Sequence, residues 1–119
     1  MSDAAAKIAA RLAELWQTSR PTILERMDVL RRASASLNLN PADAEVRGAG
    51  REAAHKLSGI LGVFGLPEGS TIAAAIEEIL QSPDALTAAD LETLQKQVTA
   101  LEAVIASKDG PGADGPERA

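Results

Sequence analysis

Residues 54–65 read Ala54-His55-Lys56-Leu57-Ser58-Gly59-Ile60-Leu61-Gly62-Val63-Phe64-Gly65 and hold the only histidine of this 119-residue chain. Read at 3.6 residues per turn, the apolar residues of this region fall on one side of a helix, so that side is expected to face a core. The residues on it are Val46, Ala53, Leu57, Ile60, Leu61 and Phe64. His55 lies opposite the middle of this apolar side and is predicted to point into solvent.

Three glycines share the helix face of His55. Gly48, Gly59 and Gly62 stand at positions −7, +4 and +7 from the histidine, which places them within about 40° of it. Each glycine in a helix interior costs about 1 kcal/mol relative to alanine. Helix stability alone does not explain three of them in one stripe. We interpret the stripe as clearance that lets another protein surface close on the imidazole.

The segment resembles the histidine-containing phosphotransfer (HPt) domain of bacterial type, whose pattern is Ala-His-x-Leu-x-Gly with a further glycine two turns after the histidine. The matching residues are Ala54, His55, Leu57, Gly59, Gly62, Phe64 and Gly65. Through helix order and spacing the resemblance extends over about residues 4–106. It implies a helical bundle whose exposed histidine accepts a phosphoryl group on Nε2 from a receiver domain or kinase and passes it to another receiver. It also implies that magnesium and the acidic residues belong to the partner receiver, so no cofactor is expected on this chain.

The composition favours helices over sheets. Trp16 and Phe64 are the only aromatic residues, and strands draw on the aromatic and β-branched residues that are scarce here. The absence of cysteine excludes disulfides and thiolate metal sites, and a lone histidine gives no basis for a metal site. With no signal peptide and no run of 18 apolar residues, we expect a soluble, cytoplasmic domain without a membrane partner.

The net charge of −5 is unevenly distributed along the chain. Residues 1–19 are neutral, residues 20–56 carry a net charge of +2, and residues 57–119 carry −7. The histidine therefore lies at the end of the relatively positive part, which suits an anionic phosphoryl group and an acidic partner pocket. This charge is far below that of a nucleic-acid-binding surface, so no nucleic-acid partner is expected.

Periodicity predicts two helices before the histidine helix. Ile8, Leu12 and Leu15 mark the first, over about residues 3–18, and Pro21 is suited to the first turn of the second. The two could also form one helix kinked near Arg20.

Three further helices follow. Asn40 is the candidate N-cap of the histidine helix, which is expected to end near Phe64. A turn at residues 65–67 begins the fourth helix, and Thr87 with Asp90 has the spacing of a capping box for the last. That helix repeats apolar residues in steps of three and four, which we interpret as core packing rather than a coiled-coil seam; they are Leu91, Leu94, Val98, Leu101 and Ile105. The expected fold is all-α: an antiparallel four-helix bundle with an additional N-terminal helix over residues 1–107, followed by a disordered Gly/Pro-rich tail over residues 108–119.

Several neighbours of His55 have candidate roles. Arg51 and Lys56 are predicted to neutralise the phosphoryl charge, with Arg47 as a further candidate. The predicted docking residues are Gly48, Glu52, Ser58, Gly59 and Gly62, and Glu52 is also a candidate to orient the second ring nitrogen. The chain departs from many family members in having Ser58 where they carry lysine, and Thr71, Ala73, Ala74 and Ala75 where basic residues are common.

The chain contains no Gly-rich nucleotide loop and no room for an ATP-binding domain, so it is not expected to be an enzyme that phosphorylates itself. The leading hypothesis is a monomeric phosphocarrier of a multistep phosphorelay that docks to response-regulator receiver domains, with a hybrid histidine kinase as a further candidate partner. The alternatives are a binding module that sequesters a response regulator without accepting phosphate, and a structural helical adaptor.

Overall fold

The computed structural model describes residues 3–109, which form four helices. They are α1 (Asp3–Leu39), α2 (Ala44–Val63), α3 (Pro67–Leu80) and α4 (Ala88–Asp109). Each helix packs against the next along the chain, and α4 returns to pack against α1. The expected all-α class is confirmed.

Close contacts show that neighbouring helices run antiparallel. Gly50, near the start of α2, lies against Ala33 near the end of α1 and against Leu80 at the end of α3. At the opposite end of the bundle, Phe64 meets Trp16 with ring centroids 5.3 Å apart in an edge-to-face arrangement. The result is an up-and-down bundle of the kind that short connections produce.

A single apolar core runs between the four helices. Of the inward residues predicted on the histidine helix, four are buried and two, Val46 and Ile60, are half-buried against the core. Ala54, which the periodicity did not assign to the core, is fully buried. The largest fully buried side chains are Ile23, Met27, Leu30, Leu37, Leu57, Leu61, Ile76, Leu94 and Leu101.

The expected additional N-terminal helix is not present, because residues 3–39 form one continuous helix with Pro21 inside it. Proline removes one amide donor and costs a helix interior about 3 kcal/mol. Trp16 on one side of Pro21 and Ile23 on the other are both buried in the same core. Burying a tryptophan removes 150–250 Å² from water, worth about 4–6 kcal/mol, which exceeds the cost of the proline. Pro21 itself is exposed.

The N-cap of α2 is Asp43 and not Asn40. The Asp43 carboxylate accepts a hydrogen bond of 3.1 Å from the backbone N–H of Val46. Asn40 instead holds the preceding turn, since its side chain accepts from the N–H of Ala42 at 3.3 Å and its carbonyl accepts from the N–H of Asp43 at 3.2 Å. Pro41 therefore lies in the turn, three residues before the helix.

The connection between α2 and α3 is short and rigid. Gly65 has a φ of +73°, a left-handed conformation that only glycine adopts without strain. Leu66 donates its N–H to the carbonyl of Leu61 at 2.9 Å, and Gly65 donates to that of Gly62 at 3.2 Å. This pair of hydrogen bonds is a Schellman motif, and it directs the chain straight into the antiparallel α3.

The capping box predicted for the last helix is confirmed. The Thr87 N–H donates to the Asp90 carboxylate at 3.0 Å, and the Asp90 N–H donates to the Thr87 hydroxyl at 3.1 Å. These reciprocal bonds satisfy two backbone donors at the start of α4.

The folded part extends two residues beyond the predicted boundary at 107, because Lys108 and Asp109 belong to α4. Arg20 and the indole N–H of Trp16 both donate to the Asp109 carboxylate. The Arg20 hydrogen bond holds the pKa of Asp109 below its usual range. At pH values above the ordinary aspartate pKa, the Arg20–Asp109 pair therefore stabilises the fold in full. This stabilisation is lost as the pH falls through the lowered pKa of Asp109. The rest of the predicted tail, residues 110–119, lies outside the described residues.

The first three turns of α1 project beyond the bundle. Residues 3–14 are all exposed, and Ile8 keeps 61% of its surface accessible. Within residues 3–109, no helix combines the length and the apolar character needed to cross a membrane.

We expect Trp16→Ala to lower the free energy of unfolding by about 3–5 kcal/mol, because it empties a core position between Phe64 and Lys108. Ile8→Ala, on the projecting turns of the same helix, should change it by less than about 0.5 kcal/mol. Urea unfolding followed by circular dichroism measures both. Equal losses would contradict the assignment of residues 3–14 to a segment outside the core.

Candidate functional site

His55 lies near the middle of α2 on the face turned away from the core. Its side chain is 71% exposed, while its neighbours on the other side of the helix, Ala54 and Leu57, are fully buried. The burial of these neighbours fixes the rotation of α2, so the imidazole is held outward by the packing beneath it.

One ring nitrogen of His55 is occupied and the other is open. Nδ1 lies 3.0 Å from Oε2 of Glu77 on α3, and that carboxylate is only 20% exposed. A carboxylate accepts, so the bond places the proton of the neutral ring on Nδ1 and leaves the Nε2 lone pair directed outward. Glu52, the residue proposed from the sequence to orient the ring, lies instead 3.5 Å from Lys56.

The α2–α3 hairpin explains why Glu77 reaches the histidine. Gly65 is the pivot, with His55 ten residues before it and Glu77 twelve after it. A second interhelical bond, from the Ser70 hydroxyl to the Ser58 carbonyl at 2.6 Å, fixes the same register closer to the turn. Glu77 was not predicted from the sequence, although counting outward from Gly65 along two antiparallel helices brings residues 75–78 opposite the histidine.

The three predicted cations differ in their surroundings. Arg51, one turn before His55, is exposed and has no hydrogen-bond or ion-pair partner within the described part of the chain. It lines an open depression of about 420 Å³ together with Gly48. Lys56 is paired with Glu52 and is half exposed.

Arg47 does not face the histidine. Its guanidinium donates to the carbonyls of Leu80, Ser82 and Asp84, at 3.5 Å for Leu80 and 3.1 Å for Asp84. Carbonyls at a helix C-terminus lack intrahelical donors and carry partial negative charge. Arg47 therefore caps α3, and the candidate role at the phosphoryl group is corrected to a structural one.

The glycines of α2 and α3 form two groups. A Cβ added at Gly48 or Gly59 would meet nothing within 4 Å, and one at Gly62 would make only an ordinary contact of 3.8 Å with Ser70. By contrast, a Cβ at Gly50 would lie 2.9 Å from Leu80 and 3.2 Å from Ala33.

Gly69 on α3 resembles Gly50, with Leu61 and Val104 both 3.1 Å from its added Cβ. Gly50 and Gly69 therefore let helices approach closely, a role that the sequence analysis did not assign. The signal was present for Gly50, since it is in phase with Leu57 and Leu61 on the buried face. Among residues 3–109, no neighbouring helix approaches this closely to the three glycines that share the face of His55.

The remaining predicted docking residues surround the imidazole unevenly. Ser58 is half-buried beside Ser70, and Glu52 is exposed on the side of Lys56. Val63, which the sequence analysis did not single out, keeps 61% of its surface accessible one residue beyond Gly62. The charged side chains of this surface, Arg51, Glu52 and Lys56, lie before or directly after His55, and residues 57–63 of α2 carry no charge.

Within residues 3–109 no three His, Asp or Glu side chains lie close enough together to hold a metal ion. The site instead presents one exposed nitrogen nucleophile, a carboxylate behind its ring and a free guanidinium one turn away. The exposed nitrogen of His55 can accept a small electrophilic group from a partner surface. Most of the charge stabilisation during that transfer has to come from the partner.

The family model of the Hpt domain matches residues 7–104. The chain is also 31% identical over 101 residues to Protein RcaC of Microchaete diplosiphon, covering 85% of this chain and 16% of RcaC. No solved structure matches it. The family match covers most of the four-helix bundle and includes the exposed His55 described above, and on this basis the chain belongs to the Hpt domain family.

Proposed function

We propose that this chain is a cytoplasmic phosphocarrier of a multistep phosphorelay, which accepts a phosphoryl group on Nε2 of His55 from a receiver aspartyl phosphate or a kinase and passes it to another receiver. The family membership supports a histidine phosphotransfer role. The observation that carries the assignment to His55 is the Nδ1–Glu77 hydrogen bond, because it leaves Nε2 as an exposed nucleophile.

The transfer is an in-line displacement at phosphorus. The Nε2 lone pair forms the N–P bond while the bond between phosphorus and the aspartyl oxygen breaks, and the aspartate leaves as a carboxylate with that electron pair. The Nδ1 proton stays in place, so the phosphorylated ring becomes cationic. Glu77 then faces a positive ring at hydrogen-bond distance, which stabilises the product and the transition state that leads to it. The onward transfer reverses these steps.

Arg51 is the cation best placed to neutralise the phosphoryl group, because it lies one turn from His55 and is paired with no other side chain among residues 3–109. Lys56 can reach the same group from the other side. Metal assistance is assigned to magnesium held by the partner receiver. Gly48, Glu52, Ser58, Gly59 and Gly62, together with Val63, form the docking surface in this proposal, and a single copy of the chain presents it.

A receiver-sequestering module that never accepts phosphate is the competing function, since an open, glycine-lined face would serve binding equally well. The two functions differ at His55 alone. A carrier needs the imidazole, whereas a sequestering module needs only the surface around it.

Exposure to a phosphorylated receiver domain, or to phosphoramidate as a small donor, should add one acid-labile phosphoryl group to the wild-type protein and none to His55→Ala. Intact-mass measurement before and after acid treatment checks this, and receiver binding by calorimetry is the control. An unmodified wild type that still binds the receiver with the affinity of His55→Ala would support the sequestering module.

Gly59→Leu should reduce transfer from a phosphorylated receiver by more than tenfold, because the new side chain occupies the space between the two surfaces. Phosphorylation by phosphoramidate should stay within about twofold, since that donor needs little clearance. Helicity should be retained, because leucine is the better helix former by about 1 kcal/mol. Ala103→Leu, on the exposed face of α4, is the matched control. Unchanged receiver transfer in Gly59→Leu would refute the clearance role.

Glu77→Ala should slow phosphorylation of His55 by phosphoramidate about tenfold, because the ring loses both its fixed tautomer and the charge that balances the cationic product. Glu77→Gln keeps an acceptor for the Nδ1 proton but no charge, so an intermediate loss of about threefold is expected. Glu78→Gln, at the exposed neighbouring position, should behave as wild type. Quench-flow rates with mass detection measure all three. Equal rates for Glu77→Ala and Glu78→Gln would contradict the positioning role.

A further inference from the structure

The ion pair between Glu52 and Lys56 borders the phosphoryl-accepting face. Lys56 Nζ lies 3.5 Å from Glu52 Oε2, with the two side chains 50% and 68% exposed. Glu52 stands three residues before His55 and Lys56 directly follows it, so both lie on one flank of the imidazole. Lys56 is therefore already paired with a carboxylate in the unmodified protein.

We propose that Glu52 is a regulatory residue that competes with the phosphoryl group for Lys56. This competition makes the phosphorylated state of His55 less stable. This inference rests on the function proposed above. It assigns to Glu52 a role opposite to that of a cationic helper, since its charge destabilises the phosphorylated state. A carrier benefits from such a residue, because a phosphoryl group held too firmly is not passed on.

The relative strength of the two partners decides which one Lys56 takes. An exposed Glu–Lys pair four residues apart on a helix is a weak interaction. A phosphoryl group carries nearly two negative charges near neutral pH, so it attracts the same ammonium more strongly at a similar distance. Phosphorylation should therefore draw Lys56 away from Glu52. The Glu52 carboxylate then remains, without Lys56, beside a phosphoryl group of like charge. The loss of the ion pair and this repulsion both oppose phosphorylation of His55.

The test measures how the phosphoryl group divides at equilibrium between this protein and one phosphorylated receiver domain. Glu52→Gln should shift the division toward His55 by about three- to fourfold. In a Lys56→Gln background, Glu52→Gln removes only the direct repulsion, so its effect should fall below twofold. The chain offers a matched control in Glu92 and Lys96 on α4, a pair of the same spacing and the same 3.5 Å distance. Glu92→Gln should leave the division unchanged.

The outcomes separate this inference from the proposed function. In one outcome, the wild type is phosphorylated on His55 and divides the phosphoryl group with the receiver in the same ratio as Glu52→Gln does. That result overturns the role of Glu52 and leaves the carrier function intact. An equal shift in the presence and absence of Lys56 shows repulsion alone and overturns the competition. A wild type that accepts no phosphoryl group overturns the carrier function, and the regulatory role with it. Raising the salt concentration should reduce the shift that Glu52→Gln produces relative to the wild type, because all the charges involved are exposed.

Discussion

The close packing of α2 against α3 places a half-enclosed carboxylate behind an exposed imidazole. Gly50 lets Leu80 at the end of α3 approach α2, and Gly65 turns the chain back with a left-handed φ of +73°. With both ends of the hairpin fixed in this way, Glu77 lies 3.0 Å from Nδ1 of His55. The proposed chemistry depends on that distance, because the bond decides which ring nitrogen carries the proton. A change of register by one residue would rotate the carboxylate by about 100° around α3 and remove it from the ring.

The glycines show how one residue type performs three different tasks in a small bundle. Gly65 provides a conformation, Gly50 and Gly69 provide room for neighbouring helices, and Gly48, Gly59 and Gly62 have no close neighbour within residues 3–109 that would exclude a side chain. The last group weakens α2 by about 1 kcal/mol per residue, and no contact in this part of the chain accounts for that loss. Such a loss is understandable where a second surface has to approach the helix, and it coincides with the face that exposes His55.

Much of the fold could be predicted from the sequence, because the relevant signals are local. The helix period located α2, α3 and α4, and the Thr87–Asp90 spacing identified the start of the last helix. The continuity of α1 through Pro21 could not be judged locally, since the core that buries Trp16 and Ile23 is made in large part by other helices. The same reason applies to Asn40: Asp43 and Asn40 are both good capping residues, and only the packing of the turn selects between them.

The candidate site was predictable only in part, because its chemistry combines one local and one distant feature. His55 and its glycines stand in one helix and could be recognised there. The contact of Glu77 with His55 and the contact of Arg47 with the carbonyls at the end of α3 depend on the register between α2 and α3. Periodicity alone does not set that register.

In the proposed chemistry, Glu77 holds the proton on Nδ1 so that Nε2 receives the phosphoryl group. Nitrogen-15 NMR of protein labelled at its single histidine, recorded before and after treatment with phosphoramidate, tests this directly. We expect a protonated Nδ1 before and after treatment and a phosphorus–nitrogen coupling at Nε2 after treatment. A phosphoryl group on Nδ1, or an Nε2 that carries the proton in the unmodified protein, would contradict it.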